Sequence, residues 1–409
     1  MDKTPKSMRL HIGLFGRTNA GKSTFLNLVA GQDVAIVSPQ AGTTTDPVEK
    51  TMELLPVGPV VFTDTGGVDD ASALGDQRRG KMMAALRRMD VAVLMVEPDV
   101  WTEHEDRLLR EMKSGARPFL VVVGKTDLRT PSPAFLARLK AVSPHVIEST
   151  AVPGQRDRVV NAFKAALGQL MPEGSLQTPD FFGGAVPPGG MALLIIPVDK
   201  EAPKGRLILP QAQAVRAALD GGAVAVVARE TEYLAALARL SAPPDLVVCD
   251  SQVVDRMVAE TPPDVRCTTF SILLARLKGD LPAMVKAARG IDELRDGDRI
   301  LIGEACSHHA NEDDIGRQKI PRWLREKTGK ALQIDVRAGR DWPADLEQYQ
   351  LVIHCGACML NRREMLHRLQ TAAARGVPMT NYGVAISHLK GVLPRVLEPF
   401  PDAAAALDP

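Results

Sequence analysis

The sequence predicts an α/β protein whose 409 residues form three consecutive domains. Short apolar runs alternate with amphipathic stretches along the chain, and this alternation indicates parallel strands joined by crossover helices. A segment rich in Gly and Pro at 174–190 has the composition of a linker, and the same alternation restarts after it. We therefore place α/β domains at residues 1–173, 191–280 and 281–409.

The first domain contains five apolar runs with amphipathic stretches after them. The predicted strands are Leu10–Phe15, Val60–Thr63, Val91–Val96, Phe119–Val123 and Val146–Ile147, and the predicted helices are Lys22–Ala30, Met82–Met89, Glu105–Met112, Ala134–Lys140 and Arg158–Leu170. This order favours a mostly parallel sheet with helices on its faces.

The two later domains repeat the pattern on a smaller scale. In the middle domain the predicted strands are Met191–Val198, Ala223–Ala228, Leu246–Cys249 and Val265–Thr269, and the predicted helices are Gln211–Leu219, Thr231–Leu240 and Val253–Glu260. In the last domain the strands are Arg299–Ile302, Leu332–Val336 and Leu351–His354, and the helices are Ile320–Thr328 and Arg362–Arg375. Cys249 and Cys267 lie at strand positions, where a buried structural thiol is expected.

Composition and charge exclude several classes of protein. The formal net charge is +1 and aromatic residues make up 4%, so we expect no nucleic-acid partner. No apolar run approaches the roughly 20 residues that span a bilayer, and the N-terminus lacks the features of a signal peptide. We therefore expect a cytoplasmic protein without a membrane partner. In that reducing compartment clustered cysteines indicate ligands rather than disulfides.

Residues 16–23 read GRTNAGKS and fit the phosphate-binding pattern GxxxxGK[ST] between a strand and a helix. Backbone N–H groups and the positive end of the helix dipole surround phosphates in such a loop. We expect Lys22 to pair with the β and γ phosphates and Ser23 to bind Mg²⁺. The other loop residues expected to contact the nucleotide are Asn19, Ala20, Gly21 and Thr24.

Two short motifs follow this loop and supply further groups for the metal and the phosphate. DTGG begins at Asp64, whose carboxylate can hold Mg²⁺ through water, while Gly66 can face the γ-phosphate and Gly67 lies beside it. The polar loop TTTD places Thr44 where a second hydroxyl can reach the metal. The residues expected to act in hydrolysis are Lys22, Thr44, Asp64 and Gly66.

The fourth motif, GKTD at 124–127, is predicted to select the base of the nucleotide. The carboxylate of Asp127 can accept hydrogen bonds from guanine N1–H and N2–H₂, a pair of donors that adenine does not present. Lys125 can lie along the base. The order and spacing of all four motifs predict a nucleotide site selective for GTP.

The four motifs resemble those of the TrmE–Era group of GTPases, over residues 9–170. The resemblance implies that Thr44 is the Mg²⁺-coordinating switch threonine and that Thr150 and Ala151 form a fifth, base-contacting motif. Gly124 departs from the usual NKxD motif, in which an Asn contacts the base. Val68 follows DTGG, where Ras-like enzymes carry a water-orienting Gln, so intrinsic hydrolysis should be slow without added charge.

The resemblance also suggests a source of that charge. Asn19 stands where the potassium-activated members of the group hold a K⁺ ligand, and a monovalent cation beside the β and γ phosphates can act as an arginine finger does. The alternative for Asn19 is that it caps the loop.

Two cysteine–histidine motifs follow apolar strands near the end of the chain. CSH at 306–308 follows one strand, and HCGAC at 354–358 follows another. Ligands of open parallel sheets bind outside the carboxyl ends of the strands, so these motifs are expected to meet. The CxxC spacing suits two thiolates on one metal or cluster, with Gly356 easing the turn between them.

Three explanations of these motifs remain open from the residues alone. A [4Fe–4S] cluster would use Cys306, Cys355 and Cys358, with His308 or His354 as a fourth ligand or in an outer position. Zinc would take the three thiolates and one histidine. The third explanation is two unrelated motifs.

The domain order of GTPase, middle α/β domain and CxH…HCxxC domain resembles the [FeFe]-hydrogenase maturation GTPases over essentially the whole chain. The resemblance implies a homodimer formed by the middle domain and a [4Fe–4S] cluster held by three cysteines. It also implies a scaffold that holds a diiron precursor as cargo, receives it from two radical-SAM maturases and delivers it to apo-[FeFe]-hydrogenase. The alternatives are a GTPase of tRNA modification or ribosome assembly with a structural zinc domain, and a redox-sensing GTPase.

Overall fold

A computed structural model gives the chain as two units, Met1–Thr178 and Pro179–Pro409. Both units contain parallel sheets flanked by helices, so the predicted α/β class is confirmed. The residues that the structure describes are 4–31, 48–65, 73–171, 180–197, 207–305, 314–339, 342–343 and 345–407.

The first unit is built on one six-stranded sheet. Its strands are β1 (Leu10–Phe15), β2 (Val48–Leu54), β3 (Gly58–Asp64), β4 (Val91–Val96), β5 (Phe119–Val123) and β6 (Val146–Glu148), and its helices are α1 (Lys22–Ala30), α2 (Ala73–Arg88), α3 (Glu103–Ser114), α4 (Pro133–Val142) and α5 (Arg156–Leu170). The strand order is β2-β3-β1-β4-β5-β6, with β2 antiparallel and the other strands parallel. The edge strand β2 is absent from our predicted strands, because its sequence VEKTMEL alternates weakly and is largely exposed.

Two apolar clusters cover the two faces of this sheet. On one face α1 and α5 meet through Phe25 and Phe163, whose rings lie edge to face at 5.3 Å between centroids. On the other face α2, α3 and α4 contribute buried side chains that include Leu108 and Phe135. Burial on both faces explains why the central strands are continuous apolar runs.

The second unit contains eight strands and ten helices among its described residues. The strands are β7 (Met191–Ile195), β8 (Val224–Ala228), β9 (Leu246–Cys249), β10 (Cys267–Thr269), β11 (Arg299–Glu304), β12 (Gln333–Ala338), β13 (Leu351–His354) and β14 (Met379–Asn381). The helices are α6 (Leu209–Asp220), α7 (Tyr233–Leu237), α8 (Val254–Glu260), α9 (Phe270–Lys278), α10 (Leu281–Ala288), α11 (Ile320–Thr328), α12 (Arg362–Ala374), α13 (Tyr382–Leu389), α14 (Leu393–Leu397) and α15 (Pro401–Ala405).

These strands form two parallel four-stranded sheets, in the orders β10-β9-β7-β8 and β12-β11-β13-β14. In the second sheet β12 is added on one side of β11, and β13 and β14 are added on the other. The strand order therefore changes direction between β11 and β13, and such a topological switch point places a crevice at the carboxyl ends of both strands. The pairing of Gly303 with His354 aligns those two ends. The segments that follow β11 and β13 therefore begin side by side.

Helix α9 connects the two sheets of the second unit. It starts directly after β10, where the Thr269 side chain accepts a hydrogen bond from Ile272 N and caps the helix. It packs against α6 of the first sheet and against α12 and α13 of the second. Among the described residues, no helix is both long enough and apolar enough to cross a membrane.

Candidate functional site

The phosphate-binding loop curls around the side chain of Lys22. Gly21 adopts a left-handed conformation, with φ of 94°, and α1 starts at the next residue. The Lys22 side chain is buried, and its Nζ donates to Gly16 O at 3.0 Å and to Arg17 O at 2.7 Å. The positive charge is thus fixed at the centre of a loop whose amides lead into a helix N-terminus, an arrangement suited to phosphate.

Two of the groups predicted to place Mg²⁺ lie together, Ser23 in the first turn of α1 and Asp64 at the end of β3. Leu14 pairs with Asp64 in the sheet, and Ser23 Oγ donates to Asp64 Oδ2 at 2.6 Å. Burial raises the pKa of Asp64, while the Ser23 hydrogen bond and the Lys22 charge act in the opposite direction. The pair can therefore hold a divalent cation directly and through water. Thr44, Gly66, Gly67 and Val68 lie outside the described residues.

The base-recognition residues are joined by hydrogen bonds between two neighbouring loops. Thr126 Oγ1 donates to Ser149 O at 3.0 Å, and Asp127 Oδ1 accepts from Ala151 N at 3.3 Å. Thr150 is buried, whereas Asp127 and Ala151 are exposed. The exposed carboxylate is therefore oriented by the fifth motif and keeps acceptor capacity for a base.

Lys125 forms a contact that the sequence analysis missed. Its backbone is left-handed, with φ of 55°, and its Nζ donates to Glu97 Oε2 at 3.0 Å. Glu97 follows β4 directly, and a carboxylate at the carboxyl end of a buried strand is the signal that could have revealed it. Asn19 and Thr24 are exposed and Ala20 is buried at the same edge of the sheet.

Gly124, the departure from the NKxD pattern, lies against the phosphate-binding loop. A Cβ at this residue would stand 2.6 Å from Ala20 O, closer than real Cβ atoms approach other atoms. Its φ lies outside the left-handed region, so the contact alone excludes a side chain. Glycine at this position therefore allows the end of β5 to lie directly against the phosphate-binding loop.

We expect Gly124→Ala to weaken both folding and nucleotide binding. The added methyl group must displace the Ala20 peptide, and overpacking of this kind costs about 1–3 kcal/mol. Denaturant unfolding and GTP titration measure the two effects. The control is Gly168→Ala in α5, where a Cβ meets nothing within 4 Å and should stabilise the helix. Equal behaviour of the two variants would contradict the proposed close approach.

The second cysteine–histidine motif, at 354–358, begins at the switch point between β11 and β13. Cys355 N donates to Gly303 O at 2.8 Å, and Ala305 N donates to Cys355 Sγ at 3.1 Å. Among the described residues neither Cys355 nor Cys358 forms a disulfide, and both are partly exposed. Cys306 and His308 lie outside the described residues, although Cys306 is bonded to Ala305 in the chain. Among the described residues no group of three or more metal-binding side chains is assembled.

The turn of the CxxC loop is made by Ala357, which has φ of 53°, and not by Gly356 as we expected. Gly356 instead lies close to α9, since a Cβ there would stand 3.2 Å from Leu274 Cδ1. A left-handed alanine costs energy, and such strain often marks a functional loop.

A buried lysine lies beneath this loop. Lys278 of α9 is 2% exposed, and its Nζ donates to the carbonyl oxygens of Ala357, Cys358 and Leu360 at 2.9, 3.0 and 2.7 Å. Burial lowers the pKa of Lys278 to about 8, and the thiols of Cys358 and Cys355 act to raise it. Burial raises the pKa of the Cys358 thiol, and the lysine charge acts to lower it. The sequence analysis gave no role to Lys278.

His354 is fully buried at the end of β13, with a partner at each ring nitrogen. Its Nε2 faces Arg368 Nη1 at 2.9 Å and its Nδ1 faces Cys355 O at 2.8 Å. Because the guanidinium only donates, Nε2 accepts and Nδ1–H donates to the carbonyl. Burial and the Arg368 charge lower the pKa of His354 to about 3, so the ring is neutral at physiological pH.

The surroundings of Cys355 fit an anionic metal cluster. The phenol oxygen of Tyr382 is buried without a hydrogen-bond partner among the described residues. Burial raises the pKa of Tyr382 well above its ordinary value, and the negative charges of Cys355 and Glu304 add to this. The Tyr382 hydroxyl can donate a hydrogen bond and buried Lys278 carries a positive charge. Both features, together with the thiols of Cys355 and Cys358, suit a metal group bound by thiolates.

The two remaining cysteines and the other described histidines of this unit lie elsewhere. Cys249 and Cys267 are fully buried in β9 and β10, and burial raises the pKa of both thiols. His388 Nε2 lies 2.9 Å from Asp292 Oδ2, and His367 is on α12 with its carbonyl bonded to Thr371. These residues therefore serve packing and surface contacts.

Comparisons with known proteins define the first unit. A family model described as a 50S ribosome-binding GTPase matches residues 11–125. The tRNA modification GTPase MnmE of Herminiimonas arsenicoxydans is 40% identical over 130 residues, which cover 31% of this chain and 28% of the relative. GTPase Era of Marinobacter nauticus (strain ATCC 700491 / DSM 11845 / VT8) is 28% identical over 184 residues, covering 44% of this chain and 59% of the relative. The chain thus spans less than two thirds of either relative.

A solved structure of an Era variant from Aquifex aeolicus bound to GDP and AlF4⁻ covers 54% of this chain and 91% of its own, at 21% identity and a TM-score of 0.36. The phosphate-binding loop, the Ser23–Asp64 pair and the matching family model define the class of the first unit, which is a P-loop GTPase domain of the TrmE–Era type.

The second unit identifies the family within that class. A model of the hydrogen maturase F dimerization domain matches residues 181–279, and a model of the hydrogen maturase F tetramerization domain matches residues 282–399. Together they match more than half of the chain, which therefore belongs to the hydrogen maturase F (HydF) family of hydrogenase maturation GTPases. The oligomer predicted from sequence was a dimer, and the second model adds a tetramerization domain that the sequence analysis missed.

Proposed function

We propose that the protein is a GTP-hydrolysing scaffold that carries a [4Fe–4S] cluster on Cys306, Cys355 and Cys358 and delivers a diiron precursor to apo-[FeFe]-hydrogenase. The observation that carries the proposal is the hydrogen bond from Ala305 N to Cys355 Sγ, because it sets the residue before Cys306 against the CxxC loop. Membership of the HydF family supports it. Two radical-SAM maturases would supply the precursor.

The three thiolates are the anchors in this proposal. When bound, a [4Fe–4S] cluster with three protein thiolates supplies one iron whose remaining ligand is exchangeable, which suits a carrier. His354 orients the loop through Cys355 O, and its two nitrogens are already engaged, so it acts from an outer position. His308 remains the candidate for a fourth ligand.

Anaerobic reconstitution of the full chain tests the cofactor. We expect a brown protein that contains iron and sulfide in a ratio near one and gives an EPR signal after reduction. A colourless protein that contains zinc would overturn the assignment. It would favour the zinc-bearing GTPase instead.

In the GTPase unit, Lys22 and the loop amides would hold the β and γ phosphates, while Ser23, Thr44 and Asp64 would place Mg²⁺. Gly66 and Gly67 would lie at the γ-phosphate. Asp127 would select guanine, with Lys125, Thr150 and Ala151 around the base. These roles rest on the motif pattern and on the hydrogen bonds among the described residues.

We expect GTP hydrolysis to be faster in K⁺ than in Na⁺ at equal ionic strength. Asn19 is exposed in the phosphate-binding loop with φ of 63°, where its side chain can help to hold a cation beside the phosphates. Asn19→Ala should remove the difference between the two salts without abolishing nucleotide binding. Steady-state rates in the two chlorides measure the effect. Equal wild-type rates would leave Asn19 with a loop-capping role.

An exposed edge supports the proposed homodimer. Strand β8 ends the sheet of the middle domain, and its Val224 and Val227 side chains are about half exposed. Leu219 and Leu234 on the flanking helices are exposed as well. In the part of the chain that the structure describes, this edge has no strand paired to it, and an apolar edge of that kind suits strand addition by a second copy.

A further inference from the structure

One face of α9 contacts the cysteine-bearing domain along its whole length. Ser271, Leu274 and Lys278 are spaced by three and four residues, so they share that face. Ser271 Oγ accepts from Gly383 N at 3.0 Å, and Leu274 lies against Gly356 of the CxxC loop. Lys278 ends the row beneath the same loop. Helix α9 therefore contacts the CxxC loop directly and can fix its position.

The ammonium group of Lys278 is fully used as a donor. It has three N–H bonds, and three carbonyl oxygens of the loop accept them. The loop turns through the strained Ala357, and these bonds fix the carbonyls on both sides of Cys358. Loss of the amine would take a donor from all three carbonyls; Ala357 O would keep its bond from Leu360 N, whereas Cys358 O and Leu360 O would lose the lysine as their donor.

The charge of Lys278 has no counterion in the part of the chain that the structure describes. Its hydrogen-bond partners are neutral carbonyls, and no described carboxylate is among the charged groups that act on it. A buried unpaired cation costs several kcal/mol, which a nearby anion can offset. The acidic groups that influence it are the thiols of Cys358 and Cys355. Three thiolates on a [4Fe–4S]²⁺ core carry a net charge of about −1 and would supply that anion.

We propose that Lys278 is the positioning residue of the cysteine loop and the buried counter-charge of the metal cluster. The inference rests on the proposed function, since it requires a cluster on Cys355 and Cys358. It also means that α9, which lies within the dimerization-domain match, completes the cluster site of the next domain. The positive charge favours the more negative, reduced cluster and raises its reduction potential.

Two substitutions separate the charge from the hydrogen bonds. Lys278→Gln keeps N–H donors and removes the charge, whereas Lys278→Met removes both. The matched control is Lys286→Gln on α10, an exposed lysine outside the loop. All three variants are prepared as full chains and reconstituted anaerobically with iron and sulfide. The readouts are circular dichroism, iron per chain after a chelator challenge, EPR line shape and reduction potential from a redox titration.

We expect Lys278→Gln to retain most of its iron, with an altered EPR signal and a lower reduction potential than wild type. Lys278→Met should hold its cluster about 10–100-fold less tightly, as when the outer contacts of a metal site are lost. Lys286→Gln should match wild type in every readout.

A folded Lys278→Gln chain with the wild-type potential would overturn the counter-charge role. Wild-type iron retention in Lys278→Met would overturn the positioning role. If Lys278→Met does not fold, the Gln variant still decides, because its amide can satisfy part of the loop. A wild-type chain that binds no iron would instead refute the proposed function, so the two failures are distinguishable.

Discussion

Replacement of Cys355 by Ala is expected to remove the iron–sulfur cluster and all hydrogenase maturation activity. The Sγ atom accepts the Ala305 amide and lies at the switch point of the sheet, against the residue that precedes Cys306 in the chain. A thiolate carries a full charge and anchors the cluster directly, and two remaining anchors leave it labile. The same loss is expected for Cys306→Ala and Cys358→Ala.

The measurement is iron per chain, EPR of the reduced protein and GTPase rate on the same preparation. GTP hydrolysis should be largely intact, because the phosphate-binding loop belongs to the other unit. Cys249→Ala is the matched control, since it removes a buried thiol of β9 and should keep its iron. Full iron retention in Cys355→Ala would refute the site.

Lys22→Ala is expected to lose nucleotide binding almost completely. The side chain holds its charge at the centre of the loop, and the variant would lose charge-assisted bonds to the phosphates of about 1.5–3 kcal/mol each. Two such bonds correspond to at least about a hundredfold in Kd. Iron content should not change.

Titration with a fluorescent GTP analogue measures this affinity. Lys140→Ala on α4 is the control, because this exposed lysine lies outside the loop and should bind GTP as wild type does. Wild-type affinity in Lys22→Ala would mean that the loop does not bind the phosphates through this residue.

The elements nearest the nucleotide site could be predicted closely from sequence. The bounds of β1, α1, β4 and β5 agree with the predicted ranges. These strands are dense apolar runs between polar residues, and α1 begins at a glycine-rich motif whose geometry is local. Local sequence therefore carries most of the information that defines them.

Other elements depend on contacts that sequence spacing does not show. Helices α9 and α10 were not predicted, because α9 follows β10 without a loop and its apolar residues pack on both sides. The role of Lys278 arises from acceptors about 80 positions away in the chain. The close contact between Gly124 and Ala20 likewise joins residues that are far apart in the sequence.

At the cysteine site too, the motifs predicted some features, whereas others depend on contacts between distant residues. The motifs at 306–308 and 354–358 predicted that two thiols follow one strand, and the structure places Cys355 against the end of the neighbouring strand. The engagement of both nitrogens of His354 depends on Arg368 and on complete burial, which no motif indicates. Its sequence pattern alone therefore left a ligand role open.

Addition of the purified, cargo-loaded chain to apo-[FeFe]-hydrogenase tests the central claim most directly. The chain is loaded through the radical-SAM maturases, separated from them and mixed with the apo-enzyme under anaerobic conditions. The account predicts that H₂ evolution appears with the wild-type chain and not with Cys355→Ala carried through the same loading. A wild-type chain that contains cluster and diiron cargo but gives no H₂ evolution would contradict the account.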